Sequence, residues 1–202
     1  TEHGIESEIV DPRDVEFTNG TLRDGDFDFN LIYKRVLISE LVDRGGMDHP
    51  VIQAVRQGKC CFVNGFRCKL LFKKASFAVL SDERNAKLLN DDEQAAVASF
   101  IPWTRVVEER KTQYAGQSID LIPYTMANKD RLVLKPNDDY GGHGIVLGWT
   151  VDAAAWEKAV QHALTTPYVI QEKVNLPKEA FPGMENGKLH FIDRMLDTNP
   201  YV

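Results

Sequence analysis

Residues 131–149 read RLVLKPNDDYGGHGIVLGW. Leu132, Val133 and Leu134 run unbroken into Lys135 and Pro136, the pattern of a short strand covered on both faces. Pro136 to Gly144 forms a loop holding Gly141, Gly142 and Gly144, and Ile145 to Trp149 resumes an apolar pattern. The stretch predicts a strand, a glycine loop and a second strand. Glycine admits positive φ and lets the backbone approach a ligand closely, so successive N–H groups in such a loop can converge on an anion. A loop joining two strands is a flap able to close over phosphates. There is no GxxxxGK[ST], the spacing is not GxGxxG, and a strand follows instead of a helix, which argues against a Walker loop and a Rossmann fingerprint. For the glycines alone, a ligand-free hairpin turn is the competing reading.

The residues flanking the loop shift that balance. Lys135 is the only charge at the end of an apolar strand and stands beside the flap, where a point charge suits phosphate oxygens. Downstream, Asp152 caps a predicted helix whose inner face carries Trp156, Val160, Ala163 and Leu164 at helical spacing, and Pro167 stops it. Residues 168–174, YVIQEKV, predict a third strand, and after a turn at Pro182-Gly183 residues Lys188 to Asp193 begin another. Gln171-Glu172 at the end of YVIQEKV supplies an acceptor and backbone amides to the edge of a pocket. Adenine needs such an edge, and Glu172 also suits ribose hydroxyls; a strand running out to solvent is the alternative. Lys74 lies upstream in KLLFKKASFAV, read as a helix over Lys69 to Leu80. Two lysines from separate elements can pinch one triphosphate, whereas the wet side of a helix is the default for Lys73 and Lys74.

The first part of the chain alternates strand and helix. FDFNLIYKRV, residues 27–36, reads as a strand covered on both faces, His49 to Gln57 as a small helix ended by Gly58, and Cys60 to Val63 as another buried strand. Asn19-Gly20, Asp24-Gly25 and Asn64-Gly65 are turn pairs. Together these resemble part of a parallel α/β sheet. Asp82 to Asn128 reads as mainly helical, with Asp91 and Asp92 opening one helix.

The chain has 202 residues and a formal net charge of −6, with 43% hydrophobic and 27% charged residues. This ordinary globular balance supports a core without metal or disulfides. The negative charge argues against a broad nucleic-acid face but permits a local basic cluster such as Arg67, Lys69, Lys73 and Lys74. Cys60, Cys61 and Cys68 are too few and too oddly spaced for a disulfide framework or zinc clip, and read as reduced cytoplasmic thiols, two of them in a buried strand. No apolar run is long enough to span a bilayer, so no membrane role is expected. The chain opens and closes as though excised from a longer protein.

The order of parts is a lysine on a helix, a lysine strand, a glycine flap, a helix, then a strand with Gln-Glu. It resembles the ATP-grasp nucleotide-binding fold, and more closely the circularly permuted ATP-grasp proteins of the glutathionylspermidine-synthase-like group. The segments that carry the resemblance are FDFNLIYKRV, CCFVNG followed by KKASFAV, RLVLKPNDDYGGHGIVLGW, YVIQEKV and DTNPYV, spread over Phe27 to Val202. The resemblance implies that Lys74 and Lys135 contact ATP phosphates. It implies that Gly141, Gly142, His143 and Gly144 form the flap, and that Gln171, Glu172 and the Val174 backbone hold adenine and ribose. It also implies ATP and Mg²⁺ as cofactors, and joining of an amine to a carboxylate through an acyl phosphate.

Two departures stand out. Asp197-Thr198-Asn199 stands where many of these proteins have Asp-x-Arg, and no convincing Glu-x-Asn constellation for magnesium is found. Asp24, Asp26 and Asp28 alternate at a strand entry but read better as a solvated turn, so the metal ligands are expected before residue 1. His143 is a candidate acid or base and otherwise a loop residue bonding phosphate or water. Arg35 is a candidate for a substrate carboxylate or phosphate and otherwise a strand-end cation in water.

The expected fold class is therefore α/β. Residues 1–80 form a partial Rossmann-like pre-ATP-grasp region, 81–130 a helical connection and 131–202 a truncated nucleotide-binding lobe. The expected function is that of a fragment of an ATP- and Mg²⁺-dependent carboxylate–amine ligase, itself inactive. The alternative is an ATP-grasp-like domain that binds nucleotide or a partner without ligating. A dinucleotide-dependent oxidoreductase rests only on the early α/β pattern and lacks the strand–GxGxxG–helix order.

Overall fold

The computed structural model describes residues 3–197. The DTNPYV segment beyond Asp197, including Thr198 and Asn199, lies outside the described residues. The chain is a mixed α/β protein with open sheets, divided along its sequence into two compact units with the boundary between Phe72 and Lys73.

The first unit begins with an antiparallel meander of β1 (Glu16–Thr18), β2 (Thr21–Asp24) and β3 (Phe27–Phe29). Asn19 and Gly20 take positive φ, 52° and 78°, in the first turn, as an Asn-Gly hairpin requires. Next come β4 (Leu31–Tyr33), α1 (Ile38–Gly45), α2 (Pro50–Arg56), β5 (Cys61–Val63) and α3 (Cys68–Phe72). β4 and β5 pair in parallel across the helical crossover. Val15, Leu22, Phe29, Leu41, Val51, Ile52 and Ala54 make the core. His49 caps α2, its Nδ1 accepting from the Val51 N–H at 3.2 Å, and Pro50 occupies the first turn, where no N–H is needed.

Several expectations for this unit are corrected. FDFNLIYKRV is two short strands, β3 and β4, with Leu31 and Tyr33 exposed. The strand of Cys60 to Val63 is not buried either: in β5 only Phe62 turns inward, while Cys61 and Val63 are exposed. All three cysteines are free, Cys60 half-buried and Cys61 and Cys68 exposed. A two-stranded parallel pair offers one inner row of side chains, so apolar residues of the other row stay in water. The single helix expected over Lys69 to Leu80 is broken at Lys73-Lys74.

The second unit opens with α4 (Ala75–Ser81), a 3-10 turn (Glu83–Leu88) and α5 (Asp91–Phe100). Asn90 and Glu93 cap α5 reciprocally, each side chain accepting from the other's backbone N–H at 2.9 Å. β6 (Thr104–Val106), β7 (Lys111–Tyr114) and β8 (Gln117–Asp120) follow, then α6 (Leu121–Ala127). The mainly helical reading of Asp82 to Asn128 therefore missed three strands. The β7–β8 turn is made by Ala115 and Gly116 at φ 48° and 78°, and alanine there gives no turn signal in the sequence.

The remainder is β9 (Leu132–Pro136), β10 (Val146–Leu147), α7 (Ala153–Thr165), β11 (Tyr168–Glu172), β12 (Lys178–Glu185) and β13 (Lys188–Met195). The main sheet is antiparallel with order β10-β9-β11-β6. Alternation sends Leu132, Leu134 and Ile170 to one face, where they join Trp156, Val160 and Ala163 of α7 and Leu121 of α6 in the core. Asp152 caps α7, accepting from Ala155 N–H at 2.8 Å, and the Trp156 indole donates to the Thr125 carbonyl at 3.1 Å. Gly148 closes the hairpin against the preceding chain: a Cβ there would stand 1.9 Å from the Lys129 carbonyl oxygen.

The turn expected at Pro182-Gly183 is also corrected. Both residues lie inside β12, and the chain reverses at Asn186-Gly187, with φ 51° and 75°. Among the described residues, no helix is long and apolar enough to cross a membrane.

Candidate functional site

Within the second unit the site grows from the β9–β10 hairpin. β9 pairs with β10 through Leu134 and Val146, which leaves residues 137–145 as a loop over the end of the sheet. Gly141, Gly142 and Gly144 have φ of 64°, 79° and 68°, a region that L side chains rarely adopt. Gly144 is also confined: a Cβ there would lie 3.0 Å from the Tyr168 hydroxyl, which donates to the Gly144 carbonyl at 3.2 Å. The glycines are exposed, as is His143, whose ring stands edge-on to Tyr140.

Lys135 and Gln171 share one face of the sheet, because Lys135 pairs with Val169 and Gln171 with Val133. The Lys135 ammonium donates to Gln171 Oε1 at 2.6 Å. Burial pushes the Lys135 amine below its ordinary value, and the positive charge of Lys74 adds to the effect. A nearby negative charge would offset that lowering.

Lys74 comes to the same loop from α4. Its backbone N–H donates to the Asn137 carbonyl at 3.0 Å, its ammonium to the Asp139 carbonyl at 2.5 Å, and Ala75 N–H to Asn137 Oδ1 at 2.9 Å. Lys73 pairs with Asp138 at 3.6 Å. The break at Lys73-Lys74 thus points the first turn of α4 into the glycine loop.

The other end of α4 is tied to β6. Ser81 Oγ donates to the Thr104 carbonyl at 3.0 Å, and Arg105, 2% exposed, donates to the Ser81 carbonyl at 2.9 Å and to Glu83 at 2.8 Å. Arg110 reaches Asp82 and Glu83, both at 2.6 Å, and Arg84 reaches Asp82 at 2.8 Å. Burial alone would raise the Asp82 carboxyl, but hydrogen bonds from Arg110 and Arg84 hold it well below the usual carboxylate range. Sequence reading missed this ion cluster, because two of its arginines, Arg105 and Arg110, lie more than 20 residues from Asp82 and Glu83 with no periodic signal between them.

Glu172 and Val174 stand apart from the lysines. Glu172 alternates to the face opposite Gln171 and accepts from the Tyr114 hydroxyl at 2.7 Å. That bond and burial raise the Tyr114 hydroxyl above its ordinary value. Lys173 lies over the Trp149 ring at 4.1 Å, and Val174 is exposed. Glu172, Lys173 and Val174 border a cavity of about 770 Å³ that is also lined by Leu80, Ser81 and Trp103. α4 therefore has the glycine loop at its first residue and this cavity at its last.

The remaining candidates fall elsewhere. Arg35 is an exposed residue of the first unit, after β4. Asp24 and Asp28 flank the β2–β3 turn, where Asp28 pairs with Arg23 at 3.1 Å. Among the described residues, no group of three or more His, Cys, Asp or Glu side chains is arranged to hold a metal ion. In comparisons with known proteins, no family model and no curated protein matches this chain.

Proposed function

We propose that this chain carries the nucleotide-phosphate site of an ATP-dependent carboxylate–amine ligase of the circularly permuted ATP-grasp kind. The observation that carries the reading is the convergence of Lys135, Lys74 and the Gly141–Gly144 loop. A half-buried ammonium, a second lysine bonded to the loop backbone, and three glycines at positive φ bring two cations and a glycine loop together. Such a grouping suits a polyphosphate, because lysines neutralise its oxygens and N–H groups of a glycine loop can complete the shell.

The cavity at the end of β11 suits the base. Val169, opposite Lys135, and Lys173 are four residues apart on that chain, roughly 13 Å at strand spacing. An extended nucleoside triphosphate spans such a distance, with its base against Trp103 and the Val174 backbone and its phosphates at the lysines.

In the proposed reaction a substrate carboxylate attacks the γ-phosphorus and ADP leaves. An amine then attacks the acyl phosphate, and inorganic phosphate leaves as the amide forms. The lysines would bind and orient the phosphates, and the loop would exclude water. A magnesium ion would shield phosphate charge, but the described residues supply no ligand cluster for it, so no step is assigned to it.

The test is calorimetric titration of ATP into the chain and into Lys135→Ala, with and without magnesium. Wild type should bind, and the variant should lose roughly 100-fold or more in affinity, as for removal of a charged hydrogen-bond partner. Equal affinities would sink the assignment. Binding without ADP formation in the full-length protein, whatever acid and amine are offered, would favour the non-catalytic alternative.

A further inference from the structure

The Lys135 ammonium is one end of a directed chain of hydrogen bonds. It donates to Gln171 Oε1 at 2.6 Å; Gln171 Nε2 donates to Thr104 Oγ1 at 2.9 Å; and the Thr104 hydroxyl donates to the Pro102 carbonyl at 2.7 Å. Gln171 is 7% exposed and Thr104 fully buried. An ammonium only donates, so Gln171 must turn its oxygen toward Lys135. A hydroxyl has one proton, and that of Thr104 is committed to Pro102, so toward Gln171 it accepts and the carboxamide must present its NH₂. Both neighbours select the same orientation of a group whose two ends are otherwise nearly equivalent in shape.

The anchor of the chain is also held. Thr104 N–H donates to Ser81 Oγ at 3.3 Å, and its carbonyl accepts from Ser81 and, at 2.8 Å, from Arg105. Each end of the carboxamide keeps one further hydrogen-bonding site, but Gln171 is buried and does not border the cavity assigned to the base.

We infer that Gln171 and Thr104 are positioning residues that hold the Lys135 ammonium at the phosphate site, and that Gln171 does not touch adenine. This rests on the nucleotide reading above and deepens it. Without Thr104 as acceptor, the carboxamide can flip and turn its NH₂ against the ammonium. Without the Gln171 oxygen, the Lys135 ammonium loses that acceptor and keeps the repulsion of Lys74, the charged neighbour that bears on it.

The experiment uses the 202-residue chain and four variants: Gln171→Leu, Gln171→Glu, Thr104→Val and Thr104→Ser. Two readouts are taken. The pH midpoint of Lys135 is measured by competitive acetylation and mass spectrometry, and ATP affinity by calorimetry. Gln171→Glu should raise the Lys135 midpoint by about one pH unit or more, because a carboxylate replaces a neutral acceptor. Gln171→Leu should weaken ATP binding roughly tenfold, and Thr104→Val several-fold, with Thr104→Ser restoring it. Rescue by serine separates orientation of the carboxamide from simple packing, and the Thr104 pair carries the test if Gln171→Leu fails to fold. A Lys135 midpoint and an ATP affinity indifferent to all four substitutions would overturn the inference. If the midpoint shifts while wild type binds no ATP, the nucleotide reading falls and the positioning chain stands. If ATP binding needs Lys135 but ignores Gln171 and Thr104, the positioning chain falls and the nucleotide reading stands.

Discussion

Asp82→Asn is expected to destabilise the second unit by about 3 kcal/mol at pH 7, the lower end for breaking a buried ion pair. The Asp82 side chain is 5% exposed and that of Arg110 10% exposed, so little water can replace the lost charge. Asparagine keeps one acceptor but turns an NH₂ toward guanidinium donors. Arg110 retains Glu83 at 2.6 Å, which is why the lower end applies. The assay is urea unfolding followed by tryptophan fluorescence. Trp103, Trp149 and Trp156 all lie in the second unit, so the signal reports that unit. A loss of about 3 kcal/mol shifts the midpoint by roughly 1–3 M urea for a slope of 1–3 kcal/mol per M.

The pH dependence is a second check on the same pair. The folded Asp82 carboxyl lies below its unfolded value, so its contribution is present above about pH 3.9 and is lost as pH falls toward the folded value. The gap between wild type and Asp82→Asn should narrow by about 1.4 kcal/mol for each pH unit below that point. A gap under about 0.5 kcal/mol at pH 7, the range of ordinary surface substitutions, would refute the reasoning. So would a gap of equal size at pH 7 and pH 3.

Three further expectations follow from packing and backbone geometry. Gly148→Ala should destabilise the second unit by about 3 kcal/mol, since a Cβ at 1.9 Å from the Lys129 carbonyl forces the backbone apart; thermal unfolding with a melting point near wild type would refute it. Trp156→Ala should cost about 3–5 kcal/mol in the same urea assay, because the ring is 1% exposed and its indole bond to Thr125 is lost. Gly144→Ala should weaken ATP binding and destabilise by about 1 kcal/mol or more, because alanine is strained at φ 68° and its Cβ would lie 3.0 Å from the Tyr168 hydroxyl; calorimetry and urea unfolding read the two effects, and unchanged values in both would refute it.

Local signals were read well where one element carries its own cap and its own apolar stripe. α7 shows both in Asp152 and in the Trp156–Val160–Ala163 row, and α2 shows them around Pro50. The β9–β10 hairpin was legible because three glycines and an apolar strand adjoin in sequence. What escaped depends on pairing at a distance. β6 is a three-residue strand whose place is set by Gln171, 67 positions after Thr104, and the ion cluster at Asp82 needs arginines from Arg84 to Arg110. The sequence reads Gln171-Glu172 as one pocket edge for adenine and ribose. Alternation along β11 sends the two to opposite faces, and only the register with β9 shows that Gln171 meets Lys135.

The β12–β13 ribbon bears on how the protein will behave in a tube. Its register puts Met184 against Leu189, and Pro182 against Phe191, on one side, whereas Glu179–Arg194 and Glu185–Lys188 share the other. One side is therefore greasy and wet: Met184, Leu189, Phe191 and Met195 are each 60–70% exposed. Raising the salt weakens the charges that keep such ribbons apart while strengthening the drive to bury the greasy side. Pro182 has no N–H to offer a neighbouring strand, which blunts β12 as a template for stacking. The outer edge of β13 has no such block. Self-association during concentration should therefore begin along β13, and a charge introduced at Phe191 should delay it.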